Sequence, residues 1–170
     1  MIRRVSALFA LAAAATLGLT ACTPTVHIDP AANANAPECA DVSVRLPKAI
    51  GNFDRVWTDA QATAVWGDDN QAVFRCGVDV PGPSTLQCVS FGGVDWSVDA
   101  TNPKVLRMTP FGRSPAAQAV VKANEITGDQ VLDALASAVN KLPTTGAACS
   151  SVDDATNTDA EAPKTDTGSK

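Results

Sequence analysis

The chain has 170 residues and a formal net charge of −5 at pH 7. An acidic protein has no electrostatic reason to seek nucleic acid or an anionic bilayer surface. The length suits one folded domain.

Arg3 and Arg4 open the chain with positive charge, and residues 5–19 are almost wholly apolar. That run matches the length of a secretory leader and falls short of the ~20 residues needed to span a bilayer. It ends at Leu19-Thr20-Ala21-Cys22, which fits a lipobox at all four positions. Residues 1–21 are therefore expected to be a lipoprotein signal peptide, cut before Cys22, whose thiol becomes diacylated. More than one acyl chain makes such an anchor stable. Loss of Arg3 and Arg4 takes the formal charge from −5 to −7, so lipid rather than charge is expected to hold the protein at the outer face of the cytoplasmic membrane.

Residues 22–37 read as the lipidated cysteine and a flexible tether of Ala, Asn, Pro and Thr with little to bury. Such a coil would hold the domain on the order of 20 Å from the membrane, or up to about 50 Å if extended. His27, the only histidine, reads here as a solvated linker residue.

Beyond Cys22, four cysteines remain: Cys39, Cys76, Cys88 and Cys149. An even number in an exported chain indicates two disulfides, with three pairings open. Proximity in sequence favours Cys76–Cys88 across a turn-rich loop, leaving Cys39–Cys149 to join the ends of the folded part. No Cys-x-x-Cys spacing occurs and the histidine lies in the tether, so neither a metal nor another cofactor is expected.

Around Pro47 and Gly51 the apolar positions are spaced more like a helix than a strand. A short helix or turn is expected over 39–46, then irregular or helical structure to Arg55. From Ala62 the grammar becomes that of strands. Residues 62–66 and 71–76 flank the turn cluster Gly67-Asp68-Asp69-Asn70. Ala72, Phe74 and Cys76 fall on one face of the second strand, with Val73 and Arg75 on the other. Residues 88–91 and 94–98 flank Gly92-Gly93, residues 99–104 read as a loop, and 105–109 and 117–121 complete the strands. Thr127 with Gln130 marks a helix start, followed by an apolar stripe of Val131, Leu132, Leu135, Val139 and Leu142. Lys141 would complement the negative end of that helix.

These elements predict an α+β domain over 38–149. It comprises a small antiparallel sheet of about five strands, a C-terminal amphipathic helix packed on it, and two disulfides. Residues 150–170, with five acids, two lysines and no aromatic residue, read as a disordered acidic tail.

In combination, several motifs resemble the DUF3515 family of actinobacterial exported proteins, whose function is unknown. They are Cys39, Leu46-Pro47, Trp66-Gly67, Arg75-Cys76-Gly77-Val78, Pro81-Gly82-Pro83, Cys88, Gly93-Val94-Asp95-Trp96 and Phe111-Gly112-Arg113-Ser114-Pro115. The resemblance covers roughly residues 39–142. It implies an actinobacterial envelope and adds weight to pairing the two middle cysteines. It brings no activity.

The expected folded part has no histidine, no tyrosine and, once oxidised, no thiol, so a nucleophile–base pair is hard to assemble and no enzyme is expected. The acids near Asp95 read as turn residues. The candidate binding surface is Trp66, Arg75, Asp95, Trp96 and Arg113, because tryptophan with arginine and aspartate suits carbohydrate or peptide recognition. Competing readings are core packing for both tryptophans, a bond from Asp95 closing the Gly92-Gly93 hairpin, and an Arg75–Asp95 pair. The expected role is an accessory module for another envelope protein; the alternative is a binding protein for a cell-wall glycan, a peptide or another small ligand.

Overall fold

The computed structural model describes residues 25–82 and 84–150. The expected signal peptide, the lipobox with Cys22, Pro83 and tail residues 151–170 lie outside the described residues.

Chain order runs β1 (Thr25–Val26), α1 (Pro37–Ser43), β2 (Ala49–Ile50), β3 (Phe53–Thr58), β4 (Thr63–Trp66), β5 (Ala72–Val78) and β6 (Gln87–Phe91). It continues through β7 (Val94–Asn102), β8 (Val105–Pro110), β9 (Ala116–Lys122) and α2 (Gly128–Val139). The spatial order is β1-β3-β4-β5-β9-β8-β7-β6, with β2 paired to β3. Every pairing is antiparallel except β1 with β3. The fold is thus α+β, but its sheet has nine strands among the described residues rather than about five.

Two of the additional strands, β2 and β3, come from residues 49–58, expected to be irregular or helical as far as Arg55, and β1 comes from the expected tether. Ile50 pairs with Phe53, so Gly51 and Asn52 form the two-residue turn of a hairpin. Gly51 has φ +57° there, a conformation that costs glycine little. The residue read as a helix breaker is a strand connector. The expected loop at 99–104 is shorter, because β7 runs on to Asn102.

Alternation builds the core. Ala72, Phe74 and Cys76 are at most 1% exposed, and their partners on β9, Val121, Ala119 and Ala117, are equally buried. Trp66, Trp96 and Met108 extend this face. Helix α2 covers it with Val131, Leu132, Leu135 and Val139, and Leu142 follows just past the helix end. Thr127 Oγ1 accepts from the Gln130 N–H at 3.4 Å, as its cap position requires.

The expected cysteine pairing is overturned. The bonds are Cys39–Cys76 and Cys88–Cys149. Cys76 and Cys88 are close in sequence, yet β9, β8 and β7 lie between their strands. No disulfide spans four strand spacings of roughly 4.8 Å each. Cys39 instead comes from α1, which packs over β5, and Cys149 reaches β6 on the C-terminal segment.

The tether expectation is also corrected for its described part. Thr25 and Val26 pair with Trp57 and Thr58. Asn33 N–H donates to the Gly77 carbonyl at 2.9 Å, and Ala34 is 4% exposed. Gly77, at φ +91°, makes this approach feasible: a Cβ there would lie 2.3 Å from the Asn33 carbonyl carbon. The segment from Thr25 to α1 is therefore built into the domain.

Candidate functional site

The residues nominated from sequence do not share an exposed surface. Trp66 and Trp96 are fully buried. Trp66 Nε1 donates to the Pro47 carbonyl at 3.1 Å, and Trp96 Nε1 to the Phe91 carbonyl at 3.4 Å. Both are core pillars whose polar edge is satisfied, as a buried indole requires.

Arg113 is 9% exposed and faces the carboxyl end of α2. Its guanidinium donates to the Leu142 carbonyl at 2.7 Å and to Asn140 Oδ1 at 2.8 Å. A cation is thus set against the negative end of the helix. Asn140 Nδ2 continues the chain to the Gly92 carbonyl at 3.0 Å. Arg113 therefore locks the helix end to the β6–β7 turn instead of facing a ligand. The expected partner of that helix end, Lys141, is exposed beyond it.

Arg75 and Asp95 do not pair. Arg75 reaches Gln118 across β5 and β9 at 3.4 Å, and its Nε has no partner among the described residues. Asp95 accepts from the Ser90 hydroxyl, its cross-strand partner, and from the Cys149 N–H at 2.8 Å. The bond closing the Gly92-Gly93 hairpin is present, and the same carboxylate positions the second disulfide.

Two surface features stand out instead. Near β1 and β2, a groove of about 670 Å³ opens beside β3. Lys48, Asp54, Arg55, Val56 and Trp57 line it, with Ser43 from the end of α1. Trp57 is 70% exposed, the one tryptophan on the surface. Neither Lys48 nor Arg55 has an ion-pair partner among the described residues. Partial desolvation lowers the Arg55 pKa from its ordinary value, yet a guanidinium stays charged near neutral pH. The sequence reading missed Trp57 because 49–58 was not read as strand. Burial along β3 does not alternate strictly, since Asp54 and Arg55 are both exposed, so no clean two-residue period marks this strand in the sequence.

The second feature is β6, which ends the sheet. Its outer side has no strand partner among the described residues. Its five residues, Gln87-Cys88-Val89-Ser90-Phe91, include no charge and no proline, and their register with β7 has no bulge. Edge strands usually carry one of those devices against pairing with another chain, or are covered by a helix or loop. Here α2 packs against β6 and Cys149 is bonded to it, but no strand pairs with its outer side among the described residues.

No helix among the described residues is long and apolar enough to cross a membrane. Among them, too, no group of three or more His, Cys, Asp or Glu side chains converges as a metal site would require.

Fold and surface together define a small disulfide-bridged α+β domain in which, among the described residues, β6 ends the sheet without a strand partner on its outer side and a groove opens beside β3. The chain belongs to the DUF3515 family, described as proteins of unknown function, which it matches over residues 2–147. No curated protein and no solved structure matches it.

Proposed function

We propose that the chain is a lipid-anchored, non-enzymatic accessory module that docks on another protein of the cell envelope. The observation that carries this reading is that β6 ends the sheet with no strand paired to its outer side among the described residues. An extended segment of a partner can add to such an edge, with main-chain bonds giving affinity and neighbouring side chains giving selectivity. Leu86, 42% exposed, immediately precedes the strand and offers an apolar contact.

Placement at the outer face of the cytoplasmic membrane, in an actinobacterial envelope, draws support from Leu19-Thr20-Ala21-Cys22 and from the two disulfides, which suit an oxidising compartment. The non-catalytic reading draws support from the side chains at hand. The single imidazole is held by Asp59, and the four thiols of the domain are oxidised.

Crosslinking in intact cells tests the proposal, with a photoreactive residue placed at Gln87, which is exposed on β6. A discrete heterologous protein adduct is the expected result. Absence of a protein adduct, or an adduct only with a second copy of this chain, would sink it.

A second reading, a binding protein for a cell-wall fragment or another small ligand, is favoured by the groove at Trp57. Its volume falls within the range of ligand sites. Soluble wall fragments that change the fluorescence of the protein but not that of a Trp57→Phe variant would support it.

A further inference from the structure

We propose that the end of the domain bearing Trp57, Val44, Lys48 and Arg55 lies directly against the membrane that holds the anchor. This rests on the acylation of Cys22. Thr23 and Pro24 are the only residues between Cys22 and β1. At no more than about 3.8 Å per residue, the Cys22 Cα lies within roughly 11 Å of the Thr25 Cα. Thr25 is paired with Trp57 on a neighbouring strand, so the acylated residue and Trp57 are within roughly 16 Å of one another. The stalk of tens of ångströms suggested by composition cannot form, because Thr25 to α1 is spent on the fold. A domain joined to acyl chains by so short a link rests on the bilayer.

The surface at that point suits the contact. Val44 and Trp57 are the most exposed large apolar residues described, at 79% and 70%. Trp57 lines the groove, and Val44 is the residue after Ser43, which also lines it. Tryptophan prefers the headgroup level of a bilayer, where its ring is half in apolar surroundings and its N–H stays wet. Lys48 and Arg55 lie in the same groove without ion-pair partners among the described residues, offset by Asp54 alone among the lining residues. The cationic pair faces anionic headgroups although the whole chain is acidic. Strand β1 runs parallel to β3, so its amino end points towards the Arg55 half of that strand. The bilayer-facing side is thus the groove side. The β6 edge lies six strand spacings away, roughly 29 Å along the sheet, clear of the surface and open to a partner.

The mature lipoprotein, purified from membranes, is reconstituted in vesicles of equal parts phosphatidylcholine and phosphatidylglycerol brominated at a shallow acyl position. Trp57 is the native reporter, since Trp66 and Trp96 are buried. Expected are an acylated Cys22 by peptide mass, quenching by the brominated lipid, and loss of that quenching in Trp57→Phe. A long Gly/Ser spacer inserted between Pro24 and Thr25 should reduce the quenching while the protein still floats with the vesicles. An acylated, vesicle-bound protein whose Trp57 is unquenched overturns this inference and leaves the anchor standing. Quenching unchanged by the spacer overturns the argument from linker length. An unacylated Cys22 removes the anchor and the inference together.

Discussion

His27 Nδ1 lies 2.6 Å from Asp59 Oδ2, and the other oxygen of that carboxylate accepts the Ile28 N–H at 3.1 Å. One acid in the β3–β4 connection thus clamps the strand that follows the anchor. The hydrogen bond to Asp59 raises the His27 pKa above its ordinary 6.5, with the Asp59 charge adding to it. The hydrogen bond from His27, then that from Ile28, lowers the Asp59 pKa below 3.8. Both groups are solvent-exposed, so the clamp is local and screened by salt.

Its pH dependence follows from those directions. A raised His pKa contributes fully below about 6.5 and is lost as pH climbs through the folded value. A lowered Asp pKa contributes above about 3.8 and is lost as pH falls through the folded value. Protection of the Val26 to Ile28 amides against hydrogen exchange should therefore be greatest in mildly acidic solution and decline above neutrality. His27→Ala should flatten this profile and leave the global melting temperature almost unmoved.

Peptide mapping without reduction should recover Cys39 joined to Cys76, and Cys88 joined to Cys149. The bonds close loops with sequence separations of 37 and 61. By chain entropy each contributes roughly 4 kcal/mol. Replacing Cys39 and Cys76 together by alanine should lower chemical-denaturation stability by about that amount. A Cys76–Cys88 peptide would contradict the strand order.

Arg113→Ala leaves the Leu142 carbonyl and Asn140 Oδ1 without their charged donor. A loss of about 2–3 kcal/mol is expected in urea denaturation. Arg113→Lys should recover only part of it, since one ammonium cannot reproduce the fork.

The tryptophans should separate cleanly. Trp66→Ala empties one of the two largest fully buried side-chain positions and removes the donor to Pro47. It should cost about 3–5 kcal/mol. Trp57→Ala, at an exposed site, should stay within about 0.5 kcal/mol in detergent-free solution. A large loss at Trp57 would make it a packing residue and weaken its assignment to the membrane.

Much of the sheet was legible because alternation reports burial locally. Strands β4 to β9 and helix α2 fall where hydrophobic period, turn residues and the Thr127 cap predict them. Strand β3 was missed because Gly51-Asn52 is ambiguous. It breaks a helix and equally turns a hairpin, and only pairing with Lys48 to Ile50 decides which. The nominated site failed for a related reason. Tryptophan beside glycine, as at Trp66, or beside an acid, as at Trp96, does not say which face the ring takes. Trp66 and Trp96 point into the core, while Trp57, on a strand not foreseen, is the ring left outside.

By itself the sequence determined the features that short-range pattern encodes: an α+β domain, four cysteines beyond Cys22, a capped amphipathic helix and the lipobox-like run before the domain. Tertiary structure alone decided which cysteines bond, what Arg113 touches and where the domain begins. Those outcomes depend on strand order, which moves residues close in sequence far apart and brings distant ones together. Three strands separate Cys76 from Cys88, whereas α1 carries Cys39 onto β5. The composition of 25–36 resembles that of a tether because its residues bury little of their own. It is ordered by what others provide: the edge of β3, the bare backbone of Gly77 and the carboxylate of Asp59.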